Sequence, residues 1–307
     1  VSAIGFEDRW LRSRERDIPL AALAQASAIA GAPDRIAGRS VLLATSDQLG
    51  AALSFIALDG VARRLTVCPP GFPEEYLPEI ARKAEVDAIV TDQDPSRFES
   101  IEGCEIVPCG IDLPGTRPTP PAAHATEWVL FTSGTTGLPK LAVHSFAALT
   151  GAIRTSIQRA PHVWATFYDI RRYGGMQIFM RAMLGNASLV LSSASEPVAD
   201  HLRRLAECGV THMSGTPSHW RRVLMSATTA GFAPRTVRLS GEIADQAVLD
   251  GLRALFPAAS VGHAYASTEA GVGFEVNDGL AGFPVSYVDG GCGEVEMKVE
   301  EGSLFIR

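Results

Sequence analysis

The chain has 307 residues and 32.6 kDa, with 27 Lys+Arg against 34 Asp+Glu and a formal net charge of −7. Its 46% hydrophobic content excludes a disordered chain, which pairs low hydrophobicity with high net charge. The acidic balance argues against nucleic acid or an anionic membrane surface as partner. No apolar run approaches the ~18 residues of a membrane-spanning helix, so no membrane insertion is expected.

The N-terminal stretch, VSAIGFEDRW followed by a charged run to Asp17, lacks the basic-then-apolar order of a signal peptide. No export is expected, and a cytoplasmic location is. The absence of an initiator Met suggests a trimmed or partial product. The five cysteines, Cys68, Cys104, Cys109, Cys208 and Cys292, are scattered. Cys104 and Cys109 have no second pair or His at zinc spacing, so reduced structural thiols are expected.

Short β-rich runs alternate with helix-length amphipathic segments. The first half predicts strands at 40–44, 64–67 and 86–90, with helices at 49–58 and 73–83. Glu74 and Glu75 stand in the first turn of the latter, where the helix dipole favours anions. Residues 113–123 hold four prolines and read as a loop. A strand is predicted at 128–131 and a helix from about 145. Strands at 162–168, 187–191, 210–213, 236–240 and 260–264 then alternate with helices near 176–184, 197–208, 217–225 and 246–256. This βαβ rhythm predicts helix-covered, mostly parallel sheets. After Gly279 the alternation at 294–300, and the run 303–306 behind a Glu301-Gly302 turn, predict a small antiparallel β segment. The expected fold class is α/β, with two βαβ subdomains over roughly 1–160 and 161–270 and a β-rich part over 279–307.

The most informative segment is TSGTTGLPK, Thr132 to Lys140, directly after the strand at 128–131. Four hydroxyl residues, two glycines and a lysine fall within nine positions. The glycines permit close backbone approach, amide and hydroxyl groups converge on an anion, and Lys140 adds positive charge. That chemistry suits the β- and γ-phosphates of a nucleotide. The glycines are three apart and Pro139 separates Gly137 from the lysine, so this is not a Walker A loop.

This string resembles the signature phosphate loop of the adenylate-forming superfamily, which includes acyl- and aryl-CoA ligases, adenylation domains of peptide synthetases, and luciferases. Further strings match that family's order. Gly215-Thr-Pro217 resembles its Thr-Pro step, and Ser240-Gly241-Glu242-Ile243 its adenine-contacting turn. Tyr265-Ala-Ser-Thr-Glu269 with Ala270-Gly271 resembles its Tyr-Gly-Ser/Pro-Thr-Glu motif. Leu280–Pro284 resembles its Gly-x-Pro turn and Gly302–Arg307 its Gly-Glu-Leu-x-Val-Arg strand.

The resemblance implies ATP or AMP contacts from Thr132, Ser133, Gly134, Thr135, Thr136, Gly137 and Lys140, and from Gly241, Glu242 and Ile243. It extends them to Tyr265, Ala266, Ser267 and Thr268. Catalytic roles fall to Lys140, Thr268 and Glu269. Glu269 is a hard oxygen ligand suited to Mg²⁺, which takes one or two carboxylates and keeps several waters. Tyr265 offers a flat face for adenine.

Two departures stand out. Ala266 replaces the family's Gly, with a methyl that either crowds the nucleotide or sits beside it. The pocket-lining segment reads FYDIRRYGGM over 167–176, with Arg171 or Arg172 where relatives carry His. The tandem arginines either meet a substrate carboxylate or phosphate, or sit in solvent or against Asp169. Substrate contacts are expected from Tyr168, Arg172, Tyr173, Gly174, Gly175, Ala264 and Gly271. The two adjacent glycines would keep the pocket roomy. His263 either lines it or is structural. Seven His form no metal array, and Gly-x-Ser-x-Gly is absent.

The expected activity is ATP- and Mg²⁺-dependent conversion of an aromatic or medium acyl carboxylic acid to acyl-AMP, followed by transfer to the thiol of CoA. An enzyme loading a carrier protein is the second reading, and a nucleotide-binding domain without turnover the third. The family's small C-terminal domain, with its adenylation lysine, is expected to be missing, leaving the large N-terminal adenylation domain over 1–307.

Overall fold

In the computed structural model the described residues are 8–30, 35–116, 124–132, 137–153, 162–226, 229, 231–269, 271–292 and 295–306. Of the proline-rich stretch, 117–123 lies outside them, as do Glu294 and Arg307 of the C-terminal strings.

In chain order the first elements are β1 (Trp10–Arg12), β2 (Asp17–Pro19), β3 (Ala26–Ser27), β4 (Ser40–Ala44), α1 (Gln48–Leu58) and β5 (Arg64–Val67). Next come α2 (Leu77–Lys83), β6 (Ala88–Thr91), β7 (Glu105–Pro108), β8 (Gly115–Thr116), β9 (Glu127–Phe131), β10 (Leu141–His144) and α3 (Phe146–Thr150). The middle of the chain forms β11 (Val163–Thr166), α4 (Tyr173–Leu184), β12 (Ser188–Val190), α5 (Val198–Glu207), β13 (His212–Gly215) and α6 (Pro217–Leu224). The last elements are β14 (Thr236–Ser240), α7 (Gln246–Leu255), β15 (Ser260–Ser267), β16 (Gly271–Val276), α8 (Ser286–Gly290), β17 (Met297–Glu300) and β18 (Ser303–Ile306).

Among the described residues two sheets dominate. The six-stranded sheet runs β10-β9-β5-β4-β6-β7 and is parallel except where β10 meets β9. The eight-stranded sheet runs β16-β15-β14-β13-β11-β12-β1-β2, with a parallel centre and antiparallel edges at β16 and β2. β17 and β18 form the small antiparallel pair expected near the C-terminus, and β3 pairs with β8. The fold is mixed α/β with helix-covered, mostly parallel sheets.

Strand β4, SVLLA, is buried at every position, as a strand covered by helices on both faces must be. Its alternate side chains feed two cores: Val41 and Leu43 pack with α1 and α4, while Leu42 and Ala44 pack with α2. Phe55 of α1 packs edge-on against Phe179 of α4 at 5.4 Å and against Trp128 of β9 at 5.6 Å. Helices α1 and α4 are thereby sandwiched between the sheets. The outer face of the eight-stranded sheet is covered by α5, α6 and α7 around Trp220, Leu205 and Leu249. Helix starts follow local chemistry. Asp47 accepts from the Gly50 amide at 2.8 Å, and Asp245 from the Val248 amide at 2.9 Å. Thr216 and His219 form a capping box at α6.

Several elements differ from the sequence expectation. The helix expected at 73–83 splits into a 3-10 turn at 74–76 and α2, because Pro78 resets the helix start. Strands β1, β2, β7, β10 and β16 were not foreseen. β1 and β2 leave the first 160 residues to complete the eight-stranded sheet, with Leu11 opposite Leu189 and Ile18. β10 and β16 are hairpin returns whose pairing depends on the strand before them.

Candidate active site

The site lies where the edges of the two sheets approach each other, near β10 and the β15–β16 hairpin. Thr132 is buried, and its amide donates to the Lys140 carbonyl at 2.9 Å, closing the phosphate-type loop between β9 and β10. The loop is therefore the tip of a β-hairpin, with the helix starting only at Phe146 behind its Ser145 cap. Gly137 sits at φ +114, a backbone conformation that side-chain-bearing residues rarely adopt. Lys140 is exposed. Ser133, Gly134, Thr135 and Thr136 lie outside the described residues, as does Ala270.

The opposite wall is the β15–β16 hairpin, whose turn carries Thr268 and exposed Glu269. His144, at the end of β10, connects the two hairpins. Burial holds its pKa below the ordinary histidine value, against the opposing pull of the Thr268 backbone and the Glu269 charge. Its ring lies 5.8 Å from that of Tyr173 at the start of α4. Gly271 closes the group at φ +80; a Cβ there would lie 3.4 Å from the Tyr173 hydroxyl oxygen. Thus Thr268, Glu269, Tyr173 and Gly271 come together around His144, which the sequence reading overlooked.

The residues expected to contact nucleotide are arranged around exposed surfaces. Tyr265 is 43% exposed and stacks on Phe274 with rings 5.6 Å apart and 13° between planes. One ring face is thereby supported. Gly241 takes φ +84 in the turn after β14, Glu242 is exposed, and Ile243 is 90% exposed. Glu242 accepts from the Ser218 hydroxyl and amide at 2.6 and 2.9 Å, which hold its carboxyl below the usual range. Those bonds tether the turn to α6. Ser267 is half-buried at the end of β15, opposite Gly271 of β16.

Between α4 and the inner face of the eight-stranded sheet lies a cavity of about 320 Å³, within the range of small-molecule sites. Strand alternation brings Thr236, Arg238 and Ser240 of β14 to it, and Ala264 and Ala266 of β15. Helical spacing brings Gly174, Gln177, Ile178 and Arg181 of α4 from the other side. The methyl of Ala266 thus lines this cavity, beside that of Ala264.

Other expected acid contacts fall differently. Tyr168 borders the cavity, but its hydroxyl donates to the Ser240 carbonyl at 2.9 Å, and burial lifts its pKa to about 12. Arg172 is an exposed flanking residue at the N-terminus of α4. Its neighbour Arg171 is buried and bidentate to Asp169, with Nε–Oδ1 at 2.8 Å and Nη2–Oδ2 at 2.7 Å. The tandem arginines are therefore one structural ion pair and one surface residue. Gly175 faces away from the cavity, because a Cβ there would overlap the Asp169 carbonyl. His263 points to the other face of β15, its Nε2 3.0 Å from the Leu280 carbonyl oxygen. Arg181, Arg238, Gln177 and His212 of the lining were overlooked. Counting i+3, i+4 and i+7 from Gly174, and back by twos from Ser240, would have found most of them.

Mg²⁺ needs only one or two carboxylates when phosphate oxygens and water complete its shell. Exposed Glu269 on the turn opposite the phosphate-type hairpin fits that role. Among the described residues no cluster of three or more metal-ligating side chains occurs. No helix among them is long and apolar enough to cross a membrane.

Comparison with known proteins bears on the family and the fold. The chain is 25% identical over 232 residues to the 2-succinylbenzoate–CoA ligase of Salmonella typhimurium, covering 70% of this chain and 47% of that protein. It is 23% identical over 267 residues to the Escherichia coli enzyme of the same name, covering 82% and 54%. The chain thus spans about half the length of these curated relatives. Among solved structures, the Klebsiella oxytoca NpsA N-terminal subdomain in complex with anthranilyl-AMSN superimposes with TM-score 0.70 at 18% identity, covering 97% of this chain and 82% of that one. The luciferase-like enzyme of the mealworm Zophobas morio gives 0.67 at 18%, covering 89% and 72%. The pattern of the AMP-binding enzyme family matches residues 37–301. That match spans most of the chain, and the chain belongs to the AMP-binding enzymes.

Proposed function

We propose that this chain activates a carboxylic acid with ATP, forming acyl-AMP and pyrophosphate, and that the acyl group then passes to the thiol of CoA. The observation that carries this reading is the convergence of Thr268, Glu269, Tyr173 and His144 at one end of a cavity walled by Gly174, Ala264 and Ala266. A substrate carboxylate there attacks the α-phosphorus, the α–β anhydride bond breaks, and pyrophosphate leaves. In the second step the thiol sulfur attacks the acyl carbonyl and AMP departs.

No protein nucleophile is required, so the residues act by orientation and charge neutralisation. The hairpin from Thr132 to Lys140, with Gly137 relaxing its backbone, grips the β- and γ-phosphates. Thr268 donates to the α-phosphate. Tyr265 supports adenine on its free face, with Gly241, Glu242 and Ile243 as the opposing turn and Ala266 and Ser267 alongside. Mg²⁺ held by Glu269 and the phosphates would supply charge neutralisation. The likeness to two 2-succinylbenzoate–CoA ligases supports CoA as the acceptor. The solved NpsA–ThdA adenylation–PCP fusion supports a carrier protein as the alternative. A cytoplasmic location accords with either.

Acid-dependent exchange of labelled pyrophosphate into ATP tests the first step, and thioester formation with CoA or a carrier tests the acceptor. Exchange with at least one acid is expected. Its absence across aromatic, aliphatic and amino acids would remove the activity.

A further inference from the structure

The inner end of the 320 Å³ cavity is cationic. Arg181, two turns along α4 from Gly174, and Arg238, in the middle of β14, both line it and both are half-buried. Among the described residues neither is ion-paired. Arg238 Nη1 meets only the carbonyls of Val237 and Ser260, at 3.4 and 3.5 Å, and Arg181 Nη2 only that of Ala152, at 3.5 Å. Bonds this long satisfy a guanidinium poorly, and it carries five donors. Burial lowers the pKa of Arg238; nearby Glu275 opposes that shift and Arg181 adds to it.

The surroundings do not cancel the charge. Glu275 is the one carboxylate in the lining; it is exposed, on edge strand β16, and forms no ion pair with either arginine. His212 stacks between His162 at 4.4 Å and Trp164 at 4.6 Å. Burial, then His162, Arg235 and Arg238, push its pKa down to about 4, so it is neutral near pH 7. Two guanidiniums against one exposed carboxylate leave one net positive charge in a half-enclosed space. A partly desolvated cation without a counter-ion is unfavourable until an anion meets it.

We propose that the acid taken by this cavity carries a second carboxylate, held at the inner end by Arg181 and Arg238. This rests on reading the cavity as the acid site of the proposed reaction. The reacting carboxylate sits at the outer end, near Ser240 and Gly174, where the strands finish. Arg238 is two strand residues from Ser240, about 7 Å, and Arg181 seven helical residues from Gly174, about 10 Å. A diacid with its carboxylates separated by a comparable span bridges the two ends. The planar guanidinium fork is shaped for bidentate binding of a carboxylate. Between the ends, Ala264 and Ala266 on one wall and Gly174 on the other leave room for a slender acyl chain or one ring.

Direct calorimetric binding of matched acids tests this without requiring turnover. Octanedioic acid is compared with octanoic acid, and hydrocinnamic acid with its para-carboxylated counterpart. At least one diacid is expected to bind about ten-fold or more tightly than its monoacid partner. That ratio is expected to collapse in Arg238→Gln and in Arg181→Gln, and to shrink with added salt. Diacids binding equally, more weakly or undetectably in the unaltered protein would overturn the proposal. Pyrophosphate exchange measured in parallel judges the activity separately: exchange driven by monoacids alone keeps the ligase and removes the diacid.

Discussion

Tyr168 and Ser240, 72 residues apart, hold each other at both ends of one hydroxyl. The Tyr168 hydroxyl donates to the Ser240 carbonyl at 2.9 Å and accepts from the Ser240 amide at 3.1 Å. Its ring meanwhile packs against Gly174, where a Cβ would lie 3.6 Å from the ring carbons. One side chain therefore sets both the end of β14, where the Gly241 turn begins, and the start of α4.

Tyr168→Phe keeps the ring and removes the hydroxyl, leaving the Ser240 amide without this partner. A loss of about 1–3 kcal/mol in urea unfolding is expected, together with weaker ATP binding as the turn at Gly241 loosens. Unfolding and nucleotide titrations that both match the unaltered protein would show that the bonds do not set the turn.

The Arg171–Asp169 pair joins the two sheets. Besides Asp169, the guanidinium donates to the Thr45 carbonyl beyond β4 at 2.6 Å, and nearby Gln48 accepts from the Ile170 amide at 2.9 Å. Asp169→Ala leaves a buried, unpaired guanidinium, so a cost of about 3–5 kcal/mol is expected. Asp200→Ala, which breaks an exposed pair with Arg203, is expected to cost under about 1 kcal/mol. Chemical denaturation of both variants reads the contrast, and equal losses would contradict it.

Acid should destabilise the protein in two stages. His212 is held down at about 4 from 6.5. Between those values the unfolded chain takes up a proton that the folded one refuses, and stability falls as pH drops. Glu196 is buried, which alone would raise its pKa, but Arg204 and His201 pull it down to about 2 from 4.5. The stability it contributes above 4.5 is lost as pH falls toward 2. Unfolding free energy measured across pH 7 to 2 should slope in both windows. Glu196→Gln should flatten only the lower one, and His212→Gln only the upper.

Lys140 stands exposed where the phosphate-type hairpin closes, its carbonyl accepting from Thr132 at 2.9 Å. Lys140→Ala removes the side-chain charge and leaves that backbone bond. The KM for ATP in pyrophosphate exchange is expected to rise roughly ten-fold, with folding stability within about 0.5 kcal/mol of the parent. An unchanged KM would take the lysine out of phosphate binding.

Local patterning carried much of the architecture. Buried parallel strands read as apolar runs and the outer helices α5, α6 and α7 as amphipathic segments, because both faces of such strands must be dry while the outer helices keep one face in water. The run Ser40–Ala44 is visible as letters, and so is the Thr132–Lys140 string, since each depends on neighbours a few positions away. Edge strands were hidden. Leu141–His144 and Gly271–Val276 pair antiparallel with the strand just before them, and nothing in their composition separates a hairpin return from a loop.

The division of labour inside FYDIRRYGGM over 167–176 was also hidden. Two arginines and two glycines stand side by side. The fold buries Arg171 against Asp169 and leaves Arg172 in solvent; it lines the cavity with Gly174 and presses Gly175 onto a carbonyl. Adjacent positions point in different directions once a helix begins, and the angle at which α4 crosses the sheet depends on cores built from α1, β9 and β12. The same long-range packing brought His144 to the Thr268–Glu269 turn and set Arg181 beside Arg238. Short-range chemistry wrote the central strands, their helices and the Thr132–Lys140 string into the letters. Which side chains meet across the cavity came from contacts between segments far apart in the chain, such as Arg181 with Arg238 and Gly174 with Ala264, whose geometry exists only after the two sheets close on their shared helices.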